Sequence, residues 1–516
     1  MSRINTNISS VVAQARLGRT QQELDLRLER LSTGVRINRG RDDPAGLIIS
    51  ERLRADVAGV NQGINNAERA SSVIATTEAA LAEVNDLLNS IKALIVESAN
   101  SGAAGQAERD ANQLQIDSAI DSITRISNTA SFGGLKLLDG SRDYTLSGIA
   151  ASTITTARVS SANFVNSTTL GVEVDVLASA QRGSLFLNGD ITPVPGQVTS
   201  SLTLEIRGPR GVSVISIASG QPLGNLVTAV NNLTSLTGVQ AELINGNANS
   251  GIVFKTSDYG SNSFVSVARI DKPQDPDDDN WQLVRFADGV AIPDNDPFDW
   301  ADTNLLEAER DTGRDVTALI NGNLATGQGL KVSMNSPTLS LELLLSEAFA
   351  TMPDEDASTF SITGGGALFQ LGPEVNAQQQ VSIGIGSVAA SSLGATLVGG
   401  GVEFLSSLKR GGPNSIGESL QRNDFSAASD ILDRAVGEVT VMRGRLGAFE
   451  RNVLQTNVRS LESALENLTA STSVIRDADF AAETSSLTRA QILASSGTTV
   501  LGLANQQAQQ VLQLLG

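Results

Sequence analysis

The chain has 516 residues, enough for several domains, but only 3% are aromatic and none of these precedes Phe132. It contains no cysteine and no histidine, which excludes Cys/His metal sites, thiol nucleophiles, disulfides and imidazole general bases. The net charge of −19 argues against nucleic acid as a partner. Only carboxylate, Ser/Lys or Tyr chemistry remains for an enzyme.

The first 40 residues predict a long helix. They contain no apolar run of signal-peptide length, so no cleaved signal peptide is expected. Apolar residues recur at helical spacing with one phase shift. Because the apolar row is thin, such a helix is not stable alone in water, and partners must bury it. The row consists of Ile4, Ile8, Val11, Ala15, Leu17, Leu24, Leu28, Leu31 and Val35.

A second long helix is predicted to begin at Asp43 and Pro44, an N-cap followed by a first-turn proline. Its apolar row runs from Leu53 to Ile95 with one phase slip, and a shorter helix with four isoleucines follows. Near the C-terminus, Leu432 to Val453 keeps a strict 3,4 spacing, which Leu454 to Leu468 continues. These rows predict a helical bundle that joins distant parts of the sequence.

Proline sets the middle of the chain apart. Eleven of the 13 prolines lie from Pro193 to Pro373, and proline suits strand edges and turns better than helices. Alternating residues from Leu202 to Ile206 and from Val239 to Leu243 predict strands, and Leu223 to Leu233 predicts a short amphipathic helix. We therefore expect one or two β-containing domains there.

The last 32 residues, Ser485 to Gly516, contain one charged side chain, Arg489. Five glutamines near the end argue against a helix that spans a membrane: Gln506, Gln507, Gln509, Gln510 and Gln513. Small and apolar residues keep a 3,4 spacing to the end, which favours close packing against other helices. An ordinary C-terminal core helix is the alternative. The row consists of Leu487, Ala490, Ala494, Gly497, Leu501, Ala504, Ala508, Val511 and Leu515.

Two charged clusters each allow two interpretations. In the first, arginines alternate with aspartates, which favours a salt-bridged joint between helices over a phosphate-binding patch. In the second, ten aspartates lie between Asp271 and Asp302. They suggest Ca²⁺, but the spacing of a calcium-binding loop is absent, and a solvated acidic loop is favoured. The first cluster consists of Arg36, Arg39, Arg41, Asp42 and Asp43.

Several sequence motifs lie close together at each end of the chain. They are Ile4-Asn5-Thr6-Asn7, Arg30-Leu31-Ser32-Thr33-Gly34-Val35-Arg36-Ile37-Asn38, Asp42-Asp43-Pro44-Ala45-Gly46-Leu47, Ile475-Arg476-Asp477-Ala478-Asp479-Phe480 and Gln491-Ile492-Leu493. These motifs resemble bacterial flagellin, the subunit of the flagellar filament, over roughly residues 1–141 and 368–516. In the central part of the chain, between the two matching ends, Ala229-Val230-Asn231 and Gly238-Val239-Gln240-Ala241 resemble the flagellin hook IN motif.

The resemblance implies an α+β multidomain fold with terminal α-helical coiled-coil arms, a helical-bundle rod and a β-rich central insert. Residues 1–43 and 475–516 are expected to form the arms, the innermost filament domain. Residues 44–141 and 368–474 are expected to form the rod. Residues 142–367 are expected to form a variable outer insert, with the IN-like module at about 197–270.

The resemblance also implies a structural function, with no enzyme activity and no cofactor. The chain is expected to be exported unfolded by the flagellar type III system and polymerised at the distal tip into an extracellular filament for swimming. Its partners are then other copies of itself, the export apparatus, a flagellin chaperone, the filament cap and hook-junction proteins. The alternatives are a hook–filament junction protein and a filament subunit with an adhesive insert.

Three groups of residues are expected to carry this function. Ser90 and Ala93 stand where flagellins detected by the vertebrate Toll-like receptor usually carry Arg and Glu, and Gln115 stands where Glu is common, so weak detection is expected. The filament-packing residues are Ile8, Val11, Leu24, Leu28, Leu31, Leu487, Ala494, Leu501, Ala504, Ala508, Val511 and Leu515. The joint between arm and rod consists of Arg36, Arg39, Arg41, Asp42, Asp43, Arg476, Asp477 and Asp479. The receptor-contact region consists of Ser90, Ala93, Leu94 and Gln115.

Overall fold

A computed structural model describes most of the chain as two compact units. The first unit consists of Met1–Ala70, Gln370–Gln380 and Arg451–Gly516, and the second of Ser71–Phe369 and Val381–Glu450. The residues described are 6–100, 102, 105–164, 168–189, 195–198, 200–271, 282–288, 290, 298–352, 356–398 and 401–513.

Long helices form both ends of the chain, and short ones lie between them. The helices are α1 Ile8–Thr33, α2 Pro44–Ala99, α3 Gln106–Thr129, α4 Leu223–Asn231, α5 Thr234–Thr237, α6 Glu347–Thr351, α7 Ile416–Gln421, α8 Ser426–Phe449, α9 Gln455–Arg476 and α10 Phe480–Gln513.

The strands fill the middle of the chain, so the expected α+β class, with helical termini and a β-rich centre, is confirmed. They are β1 Ser131–Phe132, β2 Leu135–Lys136, β3 Tyr144–Ser147, β4 Ile154–Ala162, β5 Leu170–Ala178, β6 Ser184–Leu187, β7 Leu202–Arg207, β8 Val212–Ile217, β9 Val239–Leu243, β10 Ile252–Thr256, β11 Phe264–Arg269, β12 Leu283–Phe286, β13 Leu305–Glu307, β14 Arg310–Thr312, β15 Thr317–Ile320, β16 Asn323–Leu324, β17 Thr326–Gln328, β18 Lys331–Asn335, β19 Leu339–Leu345, β20 Ser358–Gly365, β21 Ala367–Gln370, β22 Gln380–Ile383, β23 Thr396–Val398 and β24 Gly401–Glu403.

Helices α1 and α2 begin at side-chain caps, as the sequence predicts for α2. Asn7 accepts a hydrogen bond from the Ser10 amide at 3.0 Å, and Asp43 accepts one from the Gly46 amide at 2.9 Å. Each bond satisfies an amide that has no partner within its helix. Helix α1 ends at Gly34, whose φ of 74° suits glycine.

The apolar row of the C-terminal helices slips by one residue between Val453 and Leu454. At that point the structure has a π-helical turn, Glu450–Leu454, between α8 and α9. A π turn accommodates one extra residue within a helix, so it absorbs the slip and keeps the apolar row on one side of the helix.

The described part of the central region contains two large hydrophobic cores and a smaller cluster of Phe186, Ile244, Phe286 and Phe298. One lies beside the sheets β16-β15-β5-β20-β3 and β17-β18-β19-β4, and its buried residues include Val174, Leu343 and Phe349. The other lies beside the sheets β13-β12-β6-β10-β9 and β14-β11-β7-β8, with Leu226 of α4 buried in it. The strands predicted near Leu202 and Val239 and the helix predicted near Leu223 all belong to this second core.

Asn231 connects α4 to the edge strand β9 of the second core. Its side chain donates to the Ala241 carbonyl at 2.9 Å and accepts from the Ala241 amide at 2.8 Å. The amide side chain therefore takes the place of a further strand and satisfies both backbone groups of one edge residue. The side chain of Asn231 thus joins residues 229–231 to residues 238–241.

Candidate helix-packing site

Helices α1 and α10 pack against each other in antiparallel orientation within the first unit. Asn7, at the start of α1, donates to the Ala504 carbonyl at 2.9 Å, and Arg27, near its end, pairs with Glu483 at 2.9 Å. The two helices therefore run side by side for most of the length of α1.

Each helix places one heptad row in this interface, and every residue of both rows is buried or half-buried. Spacings of 3 and 4 residues keep a row facing its partner along two antiparallel helices. The α1 row consists of Ser10, Ala13, Leu17, Thr20, Leu24, Arg27 and Leu31. The α10 row consists of Glu483, Leu487, Ala490, Ala494, Gly497, Leu501 and Ala504.

Gly497 lies at a point where the two helices approach closely. A β-carbon built at this position would lie 3.1 Å from Cδ1 of Leu17, tighter than an ordinary van der Waals contact. Small residues at an interface let helix backbones approach closely, and here glycine makes room for the leucine.

The charged end of the interface is a three-residue cluster that sequence reasoning missed. Nη1 of Arg27 donates to both carboxylate oxygens of Glu483, and Nη1 of Arg30 donates to one of them at 3.1 Å. Burial raises the pKa of Glu483, but the bonds from Arg27 and Arg30 more than offset this, so the pKa lies below its ordinary value. The sequence did contain a signal for this cluster: the 3,4 spacing places Arg27 and Glu483 in the same rows as the packing residues.

The predicted packing residues divide between two faces. Leu24, Leu31, Leu487, Ala494, Leu501 and Ala504 lie in the α1–α10 interface, whereas Ile8, Val11 and Leu28 are exposed. The side chains of Ala508 and Val511, and all of Leu515, lie outside the described residues.

Both helices also carry an exposed apolar face away from their shared interface. Several large apolar side chains exposed on one pair of helices are candidates for burial against a partner. This outward face consists of Ile8, Val11, Val12 and Leu28 on α1, and of Ile492, Leu493, Val500 and Leu503 on α10.

The cluster at the start of α2 is held together mainly by backbone hydrogen bonds. The Arg36 amide donates to the Arg476 carbonyl at 2.6 Å, and the Ala478 amide donates to the Gly34 carbonyl at 3.0 Å. Val35 and Asp477 form an isolated antiparallel β-bridge. The two chain segments are thus joined like neighbouring strands.

The aspartates of this cluster serve as backbone caps. Asp42 accepts hydrogen bonds from the amides of Arg39 at 2.9 Å and Asn38 at 3.2 Å, which hold its pKa below the ordinary value. Asp479 caps α10 by accepting from the Ala481 amide at 2.9 Å. Asp43 caps α2, as described above.

Ion pairs connect the arginines of the cluster to acidic residues. Arg39 pairs with Glu29 at 2.9 Å, Arg476 with Glu51 at 2.8 Å, and Arg41 with Asp42 at 3.7 Å. Exposed pairs of this kind contribute little individually. The backbone contacts and caps therefore define the joint more than its ion pairs do.

The expected receptor-contact residues lie on the surface of the second unit. Ser90, Ala93 and Gln115 are exposed, and Leu94 is half-buried. Ser90 donates its hydroxyl to the Asp86 carbonyl of its own helix at 2.9 Å. Its side chain thus occupies little of the surface where an arginine would extend.

Within the described ranges, no group of three or more Asp, Glu, Cys or His side chains is arranged to hold a metal ion. Much of the acidic stretch from Asp271 to Asp302 lies outside these ranges. Among the same described residues, no helix has the length and apolar character needed to span a membrane.

Comparisons with known proteins match both ends of the chain. The bacterial flagellin N-terminal helical region matches residues 4–143, and the bacterial flagellin C-terminal helical region matches residues 429–515. The B-type flagellin of Pseudomonas aeruginosa is 29% identical over 518 residues, covering 99% of each chain. The flagellin of Salmonella typhimurium is 28% identical over 532 residues, again covering 99% of each chain.

Among solved structures, the flagellar hook associated protein-3 from Legionella pneumophila is 11% identical, covers 82% of this chain and 97% of its own, and has a TM-score of 0.30. The two helical-region matches, together with relatives aligned over nearly the whole length, identify the chain as a member of the bacterial flagellins, the structural subunits of the flagellar filament.

Proposed function

We propose that this flagellin polymerises by burying the outward apolar faces of α1 and α10 against neighbouring copies. The observation that carries the proposal is the exposure of eight large apolar residues on these two helices, away from the interface that they share. A soluble protein rarely leaves such faces uncovered unless a partner binds there.

The antiparallel pair is a suitable unit for this assembly. Half of the fourteen residues in its internal rows are Ala, Gly, Ser or Thr, so it buries less apolar surface than a seam made only of large apolar residues. Neighbouring copies would supply the missing burial, and folding of the arms would then be coupled to assembly.

The proposed positions of the domains in the filament follow from membership of the flagellin family. Residues 1–43 and 475–516 would form the innermost layer, and residues 44–141 and 368–474 the rod around it. Residues 142–367 would project outward and carry the variable surface. Export through the flagellar type III system, a dedicated chaperone, assembly beneath the cap and attachment to hook-junction proteins belong to the same proposal.

The polymer interface can be tested by substitution. Leu503→Asn places a polar group on the outward face and should prevent or strongly weaken polymerisation of purified monomer. Leu324→Asn is the matched control, because Leu324 is an equally apolar, exposed residue on a hairpin of the insert. Normal filaments from the Leu503 variant, measured by sedimentation and electron microscopy, would contradict the proposed interface.

The cellular role can be tested on filaments sheared from cells. Electron microscopy with peptide mass mapping should find this chain along the whole filament length. Its restriction to the base of the filament would favour the hook–filament junction alternative. A glycan array probed with assembled filaments would test the adhesive alternative for the insert.

A further inference from the structure

Helix α8 contacts both large cores of the central region, and all three lie in the second compact unit. Nη2 of Arg158, on β4 beside the first core, donates to the Glu438 carboxylate and to the Ser392 carbonyl, both at 2.9 Å. The Glu438 side chain, which is 12% exposed, also accepts from the Gly394 amide at 2.9 Å. A nearly buried set of hydrogen bonds therefore holds the first core on α8.

The second core reaches the same helix through Arg210, on the loop between β7 and β8. Nη2 of Arg210 lies 2.7 Å from Oδ2 of Asp430. Asp430 precedes Glu438 by eight residues, which is about 12 Å along the helix. The side chains of Arg210 and Asp430 are 23% and 44% exposed, so water reaches this ion pair. The second core is thus held on α8 by a more exposed contact than the first.

The loop that carries Arg210 is fixed by its own core. Its sequence is Gly208-Pro209-Arg210-Gly211, and the Gly208 amide donates to the Gly211 carbonyl at 3.0 Å. The Arg210 amide donates to the Thr237 carbonyl at 3.3 Å, and a β-carbon at Gly208 would lie only 2.2 Å from the same oxygen. An arginine on a rigid loop loses less conformational freedom when it pairs, which favours the contact with α8.

Arg210 lies between carboxylates that belong to opposite sides of this contact. Asp258 of the second core lies 3.7 Å from Nη2 of Arg210, the same atom that contacts Asp430. Burial raises the pKa of Asp430 above its ordinary value, Arg210 opposes this shift, and Asp258 adds to it. Asp433, which also lies nearby on α8, is paired with Lys92. Without the charge of Arg210, Asp258 and Asp430 would therefore repel each other across the contact.

We propose that the Arg210–Asp430 pair is a salt-sensitive clasp that holds the second core against α8 and releases it when the pair breaks. The first core stays on α8 through Arg158 and Glu438, so movement would occur in the two segments that connect the cores, residues 179–183 and 313–316. An exposed ion pair shifts an equilibrium by up to about fivefold. The pair is therefore weak enough to open, and ionic strength changes the ratio of the two arrangements. The clasp thus controls how far the second core extends from the rod.

Distances between two spin labels test the clasp in the full-length monomer, kept below the concentration at which it polymerises. The absence of cysteine leaves both label sites free to be chosen. Leu236→Cys places one label on an exposed residue beside the Arg210 loop, since the Leu236 carbonyl lies next to Gly211. Gln421→Cys places the other at the exposed end of α7, close in sequence to Asp430. At about 0.01 M salt a short, narrow distance is expected, and at about 1 M a longer, broader distance should increase at its expense.

A charge swap tests the pair itself. Arg210→Glu should raise the ratio of the longer to the shorter distance by about fivefold or more in low salt, because three carboxylates then meet at the contact. Adding Asp430→Arg should restore the short distance, because the charges attract again. Arg207→Glu is the matched control, since Arg207 lies on the same hairpin and pairs with Glu205 of its own strand. This control should leave the distances unchanged.

Distances that are the same at both salt concentrations would overturn the inference. So would an Arg210→Glu chain that keeps the short distance, or a charge swap that fails to restore it. Because all these measurements use the monomer, they can fail while the proposed polymerisation stands, and the reverse also holds.

Discussion

Nη1 of Arg27 lies 3.0 and 2.9 Å from the two carboxylate oxygens of Glu483, a residue 456 positions later in the chain. Arg30 donates to the same carboxylate, and the Glu483 side chain is only 9% exposed. Charge-assisted bonds are directional, so this cluster sets the register between the first and the last helix. The rows of small residues can then pack along the whole pair.

Glu483→Gln is expected to weaken the filament by about 1–3 kcal/mol per subunit at neutral pH, because it leaves two partly buried arginines without their charged partner. The pKa of Glu483 is lowered in the folded state, so its contribution is complete above the ordinary value of 4.5 and is lost as pH falls through the folded pKa. The difference between variant and parent should therefore disappear in acid.

Depolymerisation midpoints measured at neutral and acidic pH check this prediction. Glu23→Gln is the control, since the Glu23 side chain is 53% exposed and lies 3.5 Å from Arg27. Glu23→Gln should lower the stability of the filament by less than about 1 kcal/mol per subunit. Equal effects of the two substitutions would show that the buried cluster has no special role.

Gly497→Val should destabilise the arm pair, because the valine side chain would collide with Leu17. Valine is β-branched, so its gain in helix propensity over glycine is too small to offset the collision. Gly502→Ala is the matched control on the same helix. A β-carbon there meets nothing within 4 Å, so alanine should stabilise the helix by up to about 1 kcal/mol. Thermal depolymerisation should move in opposite directions for the two variants, and a parallel shift would contradict the packing described.

Asn231→Ala should destabilise the second insert core by about 1–3 kcal/mol, because both backbone groups of Ala241 lose their partner. Neighbouring Asn232→Ala should change stability by less than about 0.5 kcal/mol, as for an ordinary surface position.

Chemical unfolding of the full chain, followed by the fluorescence of its two tryptophans, Trp281 and Trp300, measures both variants. Trp300 packs against Phe298 in a small cluster that includes Phe186 of β6, a strand of the same sheet as β9. An unchanged midpoint for Asn231→Ala would therefore refute the strand-mimic role.

The surface around Ser90 and Ala93 should support only weak signalling through the flagellin-sensing Toll-like receptor. Ser90→Arg with Ala93→Glu restores the charged residues usual in detected flagellins, and Leu94 already supplies the apolar contact. Charge-assisted bonds at an interface contribute about 1.5–3 kcal/mol each. Receptor binding should therefore become tighter by orders of magnitude, and the variant should signal at a correspondingly lower concentration. A reporter-cell titration tests this, and strong signalling by the unmodified monomer would refute it.

Sequence periodicity located the long helices well, because their apolar rows are long and regular. It was less informative about which row of α1 packs inside the chain. The internal row contains Ser10, Ala13 and Thr20, which carry little apolar signal, whereas outward-facing Ile8 and Val11 carry a strong one. Burial within one chain and burial between chains leave the same pattern in a sequence.

The insert shows a second limit of sequence reasoning. Its local elements near Leu202, Leu223 and Val239 follow from alternation and helical spacing. The pairing of β4 with β19, which joins Ile154 to Leu345, depends on contacts between segments far apart in the sequence. No local pattern specifies such a partner, so the division into two cores emerges only from the structure.

Hydrogen–deuterium exchange of α1 and α10 in the monomer and in the polymer tests the central claim most directly. If neighbouring copies bury the outward faces, amides of both helices should exchange rapidly in the monomer and become strongly protected in the polymer, while α4 and β9 stay unchanged. Equal protection of α1 and α10 in the two states would contradict assembly through these helices.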